Sequence, residues 1–176
     1  MPEDIRRYLG SLTDILKRSG ADVKWVTPEN IHLTLKFLGA TTPAQAEAVK
    51  SQLRELQGKY PPVPASLNAL GAFPNAMRPQ VVWAGMDASG KILDELYNDI
   101  EQRMETAGFT KEKRRFAPHL TLGRVRSTRN AAVLSRAMDQ IKIVPHAFAI
   151  RSLTLLKSDL TPAGAVYQPL MTIELR

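Results

Sequence analysis

His32-Leu33-Thr34-Leu35 returns letter for letter as His119-Leu120-Thr121-Leu122 in a chain of 176 residues that contains three histidines. Side chains at i and i+2 of an extended strand point the same way, so each copy places His and Thr on one face and two leucines on the other. Each therefore reads as a strand anchored in a core by its leucines, with an imidazole and a hydroxyl offered to the opposite side. A single His-x-Thr is an ordinary polar strand face; two identical copies are not.

The segments around the two copies alternate between helical and strand patterns. Pro2 to about Ser19 reads as a helix, with Pro in the first turn, Glu3 and Asp4 complementing the amino-terminal dipole, and Ile5, Leu9, Leu12 and Leu16 at helical spacing. Val23–Val26 and Ile31–Leu38 read as strands separated by a turn at Thr27-Pro28-Glu29-Asn30, the second of them carrying the first motif. Thr42, with Gln45 three positions on, forms a capping box for a helix bearing Ala46, Val49, Leu53 and Leu56. Strands over Val63–Phe73 and Gln80–Met86 follow, then a helix from about Ser89 with Ile92, Leu93, Leu96, Tyr97, Ile100 and Met104 as its apolar stripe. The second motif lies in a strand over Phe116–Val125. A helix over Asn130–Gln140 precedes two last strands, Ala147–Lys157 and Val166–Leu175, joined as a hairpin through Leu160–Gly164. Long strands mixed with about four helices predict an α+β fold with helices packed on antiparallel sheets.

A chain of this size, 44% apolar, has enough material for one compact domain or two small lobes sharing a core. No stretch approaches the ~20 apolar residues of a membrane span, and Met1 leads into Pro-Glu-Asp rather than a basic and then apolar leader, so a cytoplasmic protein is expected. Cysteine is absent, which excludes disulfides, a thiolate nucleophile and Cys-based metal sites. The net charge is +7, and nearly all of the excess comes from Lys111, Lys113, Arg114, Arg115, Arg124, Arg126 and Arg129, which bracket the second motif with only Glu112 among them. A field of this kind draws phosphates or an RNA backbone.

Two histidines facing one another can divide acid and base work, because an imidazole holds or lacks a proton near neutral pH. With a phosphodiester between them, one activates water and the other protonates the departing ribose oxygen, and no metal is required. The hydroxyls of Thr34 and Thr121 share the histidine faces and can donate to non-bridging phosphate oxygens. Arg124, following Gly123, can grip the same phosphate with its fork of N–H groups. Lys36 continues the His32 and Thr34 face by alternation and either adds positive potential or reaches solvent. Two histidines fall short of the three or four ligands of a zinc site, and His146, after Pro145, reads as structural or exposed. Trp25, Trp83, Phe37 and Phe73 read as core, with the alternative that an aromatic at a cleft rim stacks on a base.

The strings His32-Leu-Thr-Leu-Lys-Phe-Leu-Gly39, Gly71-Ala-Phe-Pro74, Arg78-Pro-Gln-Val-Val-Trp-Ala-Gly85 and Phe116-Ala-Pro-His-Leu-Thr-Leu-Gly-Arg124 resemble, in order and over nearly the whole chain, the RNA 2′,3′-cyclic phosphodiesterase (2′-5′ RNA ligase) family of the 2H phosphoesterase superfamily. The resemblance implies a bilobal α+β 2H phosphoesterase fold within residues 1–176, two antiparallel sheets flanking a central cleft with helices packed outside. It implies opening of RNA or nucleoside 2′,3′-cyclic phosphates to 2′-phosphates without metal or cofactor, and a monomer is expected. It also implies His32 as proton donor, His119 as proton acceptor, and Thr34, Thr121 and Arg124 as phosphate-binding residues. Geometry of the motifs alone leaves open which histidine is the acid. Other readings of the same site are a cyclic phosphate on another metabolite, a 2′-5′ linkage, 2′-5′ RNA ligation as a side activity, or RNA binding without turnover. Family members carry a short apolar strand before the Pro-Glu-Asp-Ile helix, whereas here Met1 adjoins Pro2. An exposed sheet edge beside the motif strands, or one covered by another chain, is therefore expected.

Overall fold

The structure is a computed structural model and describes residues 1–88, 90–161 and 165–176. The chain divides into two compact units, one made of Met1–Thr34, Ala65–Asp87 and Ala117–Phe148, the other of Leu35–Pro64, Ala88–Phe116 and Ala149–Arg176. The elements in order are α1 (Glu3–Lys17), β1 (Val23–Trp25), a short 3-10 turn (Pro28–Asn30), α2 (Pro43–Arg54), β2 (Val63–Phe73), β3 (Val81–Ala88), α3 (Ile92–Thr106), β4 (His119–Val125), α4 (Ala131–Gln140), β5 (Ala147–Ile150), β6 (Ser152–Leu160) and β7 (Ala165–Glu174). This is the expected α+β architecture, with a five-stranded sheet in the order β1-β4-β3-β2-β5 and a two-stranded sheet of β6 and β7.

The helices form where the apolar spacing placed them. On α1, Ile5, Leu9, Leu12 and Leu16 are buried and α4 packs against the helix with Leu134 and Met138; each such side chain contributes about 1.5–3 kcal/mol by leaving water. The capping box of α2 is complete: the Thr42 hydroxyl accepts from the Gln45 amide, and the Gln45 side chain accepts from the Thr42 amide at 3.0 Å. In the same unit α2 packs on α3 and on β7. No helix among the described residues is long and apolar enough to cross a membrane.

Two strand readings and one helix start change. Residues 31–38 do not form a strand: a single antiparallel bridge, Leu33 to Leu120, is the segment's sheet pairing among the described residues. A β-rich sequence becomes ladder only where a second backbone lies alongside, and here β4 supplies that at one position. The region Ala147–Lys157 is two strands rather than one, because the chain leaves the five-stranded sheet at Arg151 and enters the second sheet. The helix expected from about Ser89 starts at Ile92, and Ser89 itself lies outside the described residues. So does most of the Leu160–Gly164 turn, although β6 and β7 pair antiparallel from Ser152–Glu174 to Leu160–Ala165. β1 is an edge strand, while β4 is flanked by β3 on one side and by β1 and the Leu33 bridge on the other.

The apolar face of the large sheet carries Val82, Ala84 and Met86 from β3 and Leu120 and Leu122 from β4, all buried. Phe37 departs from its reading as core: it is 78% exposed. The strand that would have turned it inward is absent.

Candidate active site

The bridge between Leu33 and Leu120 sets the geometry of the two motifs. In an antiparallel pairing with these leucines opposite one another, His32 stands across from Thr121 and Thr34 across from His119. Leu120 is buried, and alternation along β4 turns His119 and Thr121 to the other face. In that register the two histidines are diagonal neighbours and each stands beside the threonine of the other copy. The first motif reaches this arrangement without a regular strand, since one bridge suffices to fix the register.

Both imidazoles are fastened in the same way. His32 Nδ1 lies 2.7 Å from Asn30 O, and His119 Nδ1 lies 2.7 Å from Ala117 O, in each case the carbonyl two residues earlier. A carbonyl oxygen only accepts, so Nδ1 carries the hydrogen in both rings and Nε2 is the nitrogen left to exchange a proton. His146 makes the same bond to Val144 O at 2.8 Å, yet its ring is stacked on Tyr8 with centroids 4.0 Å apart, and it belongs to the packing of α1. Position beside a second His-x-Thr, not the carbonyl bond, distinguishes His32 and His119.

Arg124 reaches this face through an irregularity in the sheet. Strict alternation from His119 and Thr121 would place Arg124 with the leucines. The register between β3 and β4 shifts, however: Trp83 pairs with Thr121, Val82 with Gly123 and Val81 with Arg124, so β4 holds one extra residue. Val81 and Trp83 share a face of β3, and therefore Thr121 and Arg124 share a face of β4. Burial agrees, since Leu122 and Gly123 are both buried while Arg124 is exposed. A bulge redirects a side chain in this manner at the cost of one ladder position. Gly123 is required there, because a Cβ would stand 2.6 Å from Val23 Cγ1 and 2.8 Å from Trp25 Cε3.

The sequence reading missed the aromatic wall beside His119. Trp83 and Phe73 are not core residues. Phe73 is 36% exposed, its ring meets His119 edge-on with centroids 4.9 Å apart, and it leans on Trp83 at 5.2 Å. The indole lies in a trough made by two glycines: a Cβ on Gly71 would collide with the ring, and one on Gly85 would stand 3.0 Å from Trp83 Cζ3. The Gly71-Ala-Phe-Pro74 string was the available signal, since a strand glycine marks close approach. Lys24 was also missed. It pairs with Arg124 across β1 and β4, on the same face as Thr121, where nothing in its local sequence announces it.

Lys36 corrects in the other direction. Its ammonium is buried, 2.7 Å from Glu101 Oε2 and 2.6 Å from Thr110 O, so its charge is matched by a carboxylate rather than offered to a phosphate. Glu101 Oε2 also accepts from the Glu112 amide at 2.9 Å. Part of the basic run is neutralised locally as well: Lys111 pairs with Glu105 and Arg114 with Glu112, both at 2.8 Å. The Arg114 guanidinium and the amides of Arg114 and Lys113 hold the Glu112 carboxyl down at about 2. Among the described residues, no group of three or more His, Cys, Asp or Glu is placed to hold a metal ion.

The chain is similar to several known proteins over most of its length. A family model described as LigT like Phosphoesterase matches residues 1–83 and 86–167. A Methanothermobacter thermautotrophicus protein named RNA 2′,3′-cyclic phosphodiesterase is 32% identical over 95% of this chain and 90% of its own length. An Aquifex aeolicus protein of the same name is 30% identical over 93% of each. Among solved structures, the Thermus thermophilus protein TT0787 superposes with a TM-score of 0.81 at 25% identity, over 100% of this chain and 94% of that one. Escherichia coli LigT complexed with 3′-AMP shares the fold, with a TM-score of 0.68 at 23% identity over 93% and 92% of the two chains.

Proposed function

The chain belongs to the LigT-like phosphoesterase family, and from that premise we propose that it opens 2′,3′-cyclic phosphates on RNA ends or nucleosides to leave 2′-phosphates, using His32 and His119 as a metal-independent acid and base pair. The observation that carries this reading is the antiparallel bridge that sets Leu33 opposite Leu120, each the middle residue of a His-Leu-Thr, together with the same backbone bond on each histidine ring.

The neutral His119 takes a proton from water at Nε2 as the water oxygen attacks phosphorus. The bond from phosphorus to the ribose 3′ oxygen breaks, and that oxygen takes the proton held at His32 Nε2. The product keeps the phosphate on the 2′ oxygen, and exchange with solvent restores the two rings. Charge gathers on the non-bridging oxygens as the fifth bond forms, and the Thr34 and Thr121 hydroxyls and the Arg124 guanidinium donate to them. Because Nδ1 of both rings is bonded alike, the backbone contacts leave the direction of transfer open; His32 as donor and His119 as acceptor follow the family's pattern. The exposed face of Phe73 offers the terminal base a stacking surface beside His119. A 5′-hydroxyl attacking in place of water makes a 2′-5′ linkage, so ligation is a side reaction of the same cradle.

The test is a short RNA ending in a 2′,3′-cyclic phosphate, incubated with the protein in excess EDTA, with the product identified by phosphorus NMR. A 2′-phosphate is expected. A 3′-phosphate, or turnover that appears only when metal is restored, contradicts the proposal.

A further inference from the structure

Resting on that reading, we propose that Lys24 extends the site to a second phosphate: it binds the phosphodiester on the 5′ side of the terminal nucleotide, so that the enzyme selects RNA ends over free nucleoside cyclic phosphates.

Register places Lys24 there. Lys24 pairs with Arg124 between β1 and β4, and residues paired across an antiparallel ladder share a face. Arg124 has the face of Trp83 and Thr121 because the bulge lies between them. Lys24 therefore flanks the cradle, while its neighbours Val23 and Trp25 turn to the buried side against Gly123. The rung of Lys24 and Arg124 is two β3 residues from that of Thr121, about 7 Å along the strand. Arg124, on the same strand as Thr121, can reach back to the phosphate in the cradle. Lys24 stands one strand further out, where the next phosphate of an RNA chain arrives after a single ribose.

A lone nucleoside cyclic phosphate carries no second phosphate to occupy the rung of Lys24 and Arg124, whereas an RNA end does.

The experiment compares kcat/KM for a short oligoribonucleotide ending in a 2′,3′-cyclic phosphate with kcat/KM for the nucleoside 2′,3′-cyclic phosphate of the same base. Lys24→Gln should lower the ratio of the two about five- to tenfold at low salt and reduce the salt dependence of the oligonucleotide reaction by about 0.7 in the log–log slope. Lys24→Arg should keep most of the wild-type ratio, and Lys17→Gln, on the exposed end of α1, should not change it. A substrate carrying a neutral methylphosphonate at the 5′ linkage tests the wild-type protein directly and should show the same loss, with no further loss in Lys24→Gln. An unchanged ratio in Lys24→Gln, or full activity on the methylphosphonate, overturns the subsite while leaving ring opening intact. If the wild type opens neither substrate, the reading beneath it falls instead.

Discussion

Gly123→Ala perturbs the bulge that turns Arg124 toward the cradle. The added Cβ would lie 2.6 Å from Val23 Cγ1, 2.8 Å from Trp25 Cε3 and 3.2 Å from Trp25 Cζ3. Neither contact is the loose end of a long side chain, so β1 must move outward or the bulge must open. Overpacking of this kind costs about 1–3 kcal/mol, which for a chain of this size lowers Tm by about 3–10 °C. The rung that shifts is the one bearing Arg124 and Lys24. A displacement of about 1 Å at a positioned group can cost up to ~10²-fold in rate, so kcat/KM measured well below Tm should fall by more than the loss of folded protein accounts for. Val23→Ala removes the nearest atom, and in the double variant part of both losses should return, a coupling of about 0.5–3 kcal/mol. The assay is a thermal melt alongside initial rates on a cyclic phosphate substrate for the four proteins of the cycle. Wild-type Tm and kcat/KM in Gly123→Ala, or strictly additive losses, would refute the close packing of β1 on Gly123 and with it the account of how Arg124 is aimed.

Lys36→Ala should destabilise the protein by about 3–5 kcal/mol in urea unfolding, because it leaves the Glu101 carboxylate buried without its cation; the double variant Lys36→Met, Glu101→Leu should recover much of that loss. Asp99 is pushed up by burial, but hydrogen bonds from Lys59 and Tyr60 and the charge of Arg103 more than offset this and hold its carboxyl below the usual range. A carboxyl lowered on folding adds stability above its unfolded value and loses it as pH falls through the folded one. Asp99→Asn should therefore lower Tm at neutral pH and shrink the difference from wild type in strongly acidic buffer, and a difference that is constant with pH would exclude this linkage. Because one ring must hold a proton while the other lacks it, the rate of ring opening should be bell-shaped in pH; a flat profile argues against two essential histidines.

Much of the architecture was legible because local signals and burial agreed. The leucine and isoleucine spacing of α1, the Thr42–Gln45 box and the buried stripe of α3 each name an element from within a few residues. The faces of the second motif were legible for the same reason, since alternation along β4 assigns them. What escaped depends on partners distant in the chain. Residues 31–38 have strand composition but meet a neighbouring backbone only at Leu33, and so Phe37 is exposed. Lys36 is drawn into a buried pair by Glu101, 65 residues away. The break at Arg151 depends on which strands pair with β5 and β6, which the local pattern does not record. The bulge at Gly123 is hidden because alternation counts residues and not rungs. For Arg124 it happened to restore the expected face, whereas Lys24 gains its place only through pairing with β4.

The central claim is that His32 and His119 act as one unit, and the most direct measurement is kcat/KM for cyclic phosphate opening by His32→Ala, His119→Ala and the double variant, each confirmed folded by circular dichroism. General acid or base catalysis is worth about 10²–10⁴-fold, and partners in a concerted transfer are not additive. Each single variant should lose activity on that order, with the double variant little slower than either. Retained turnover in one single variant, or losses that multiply in the double, would contradict the paired mechanism.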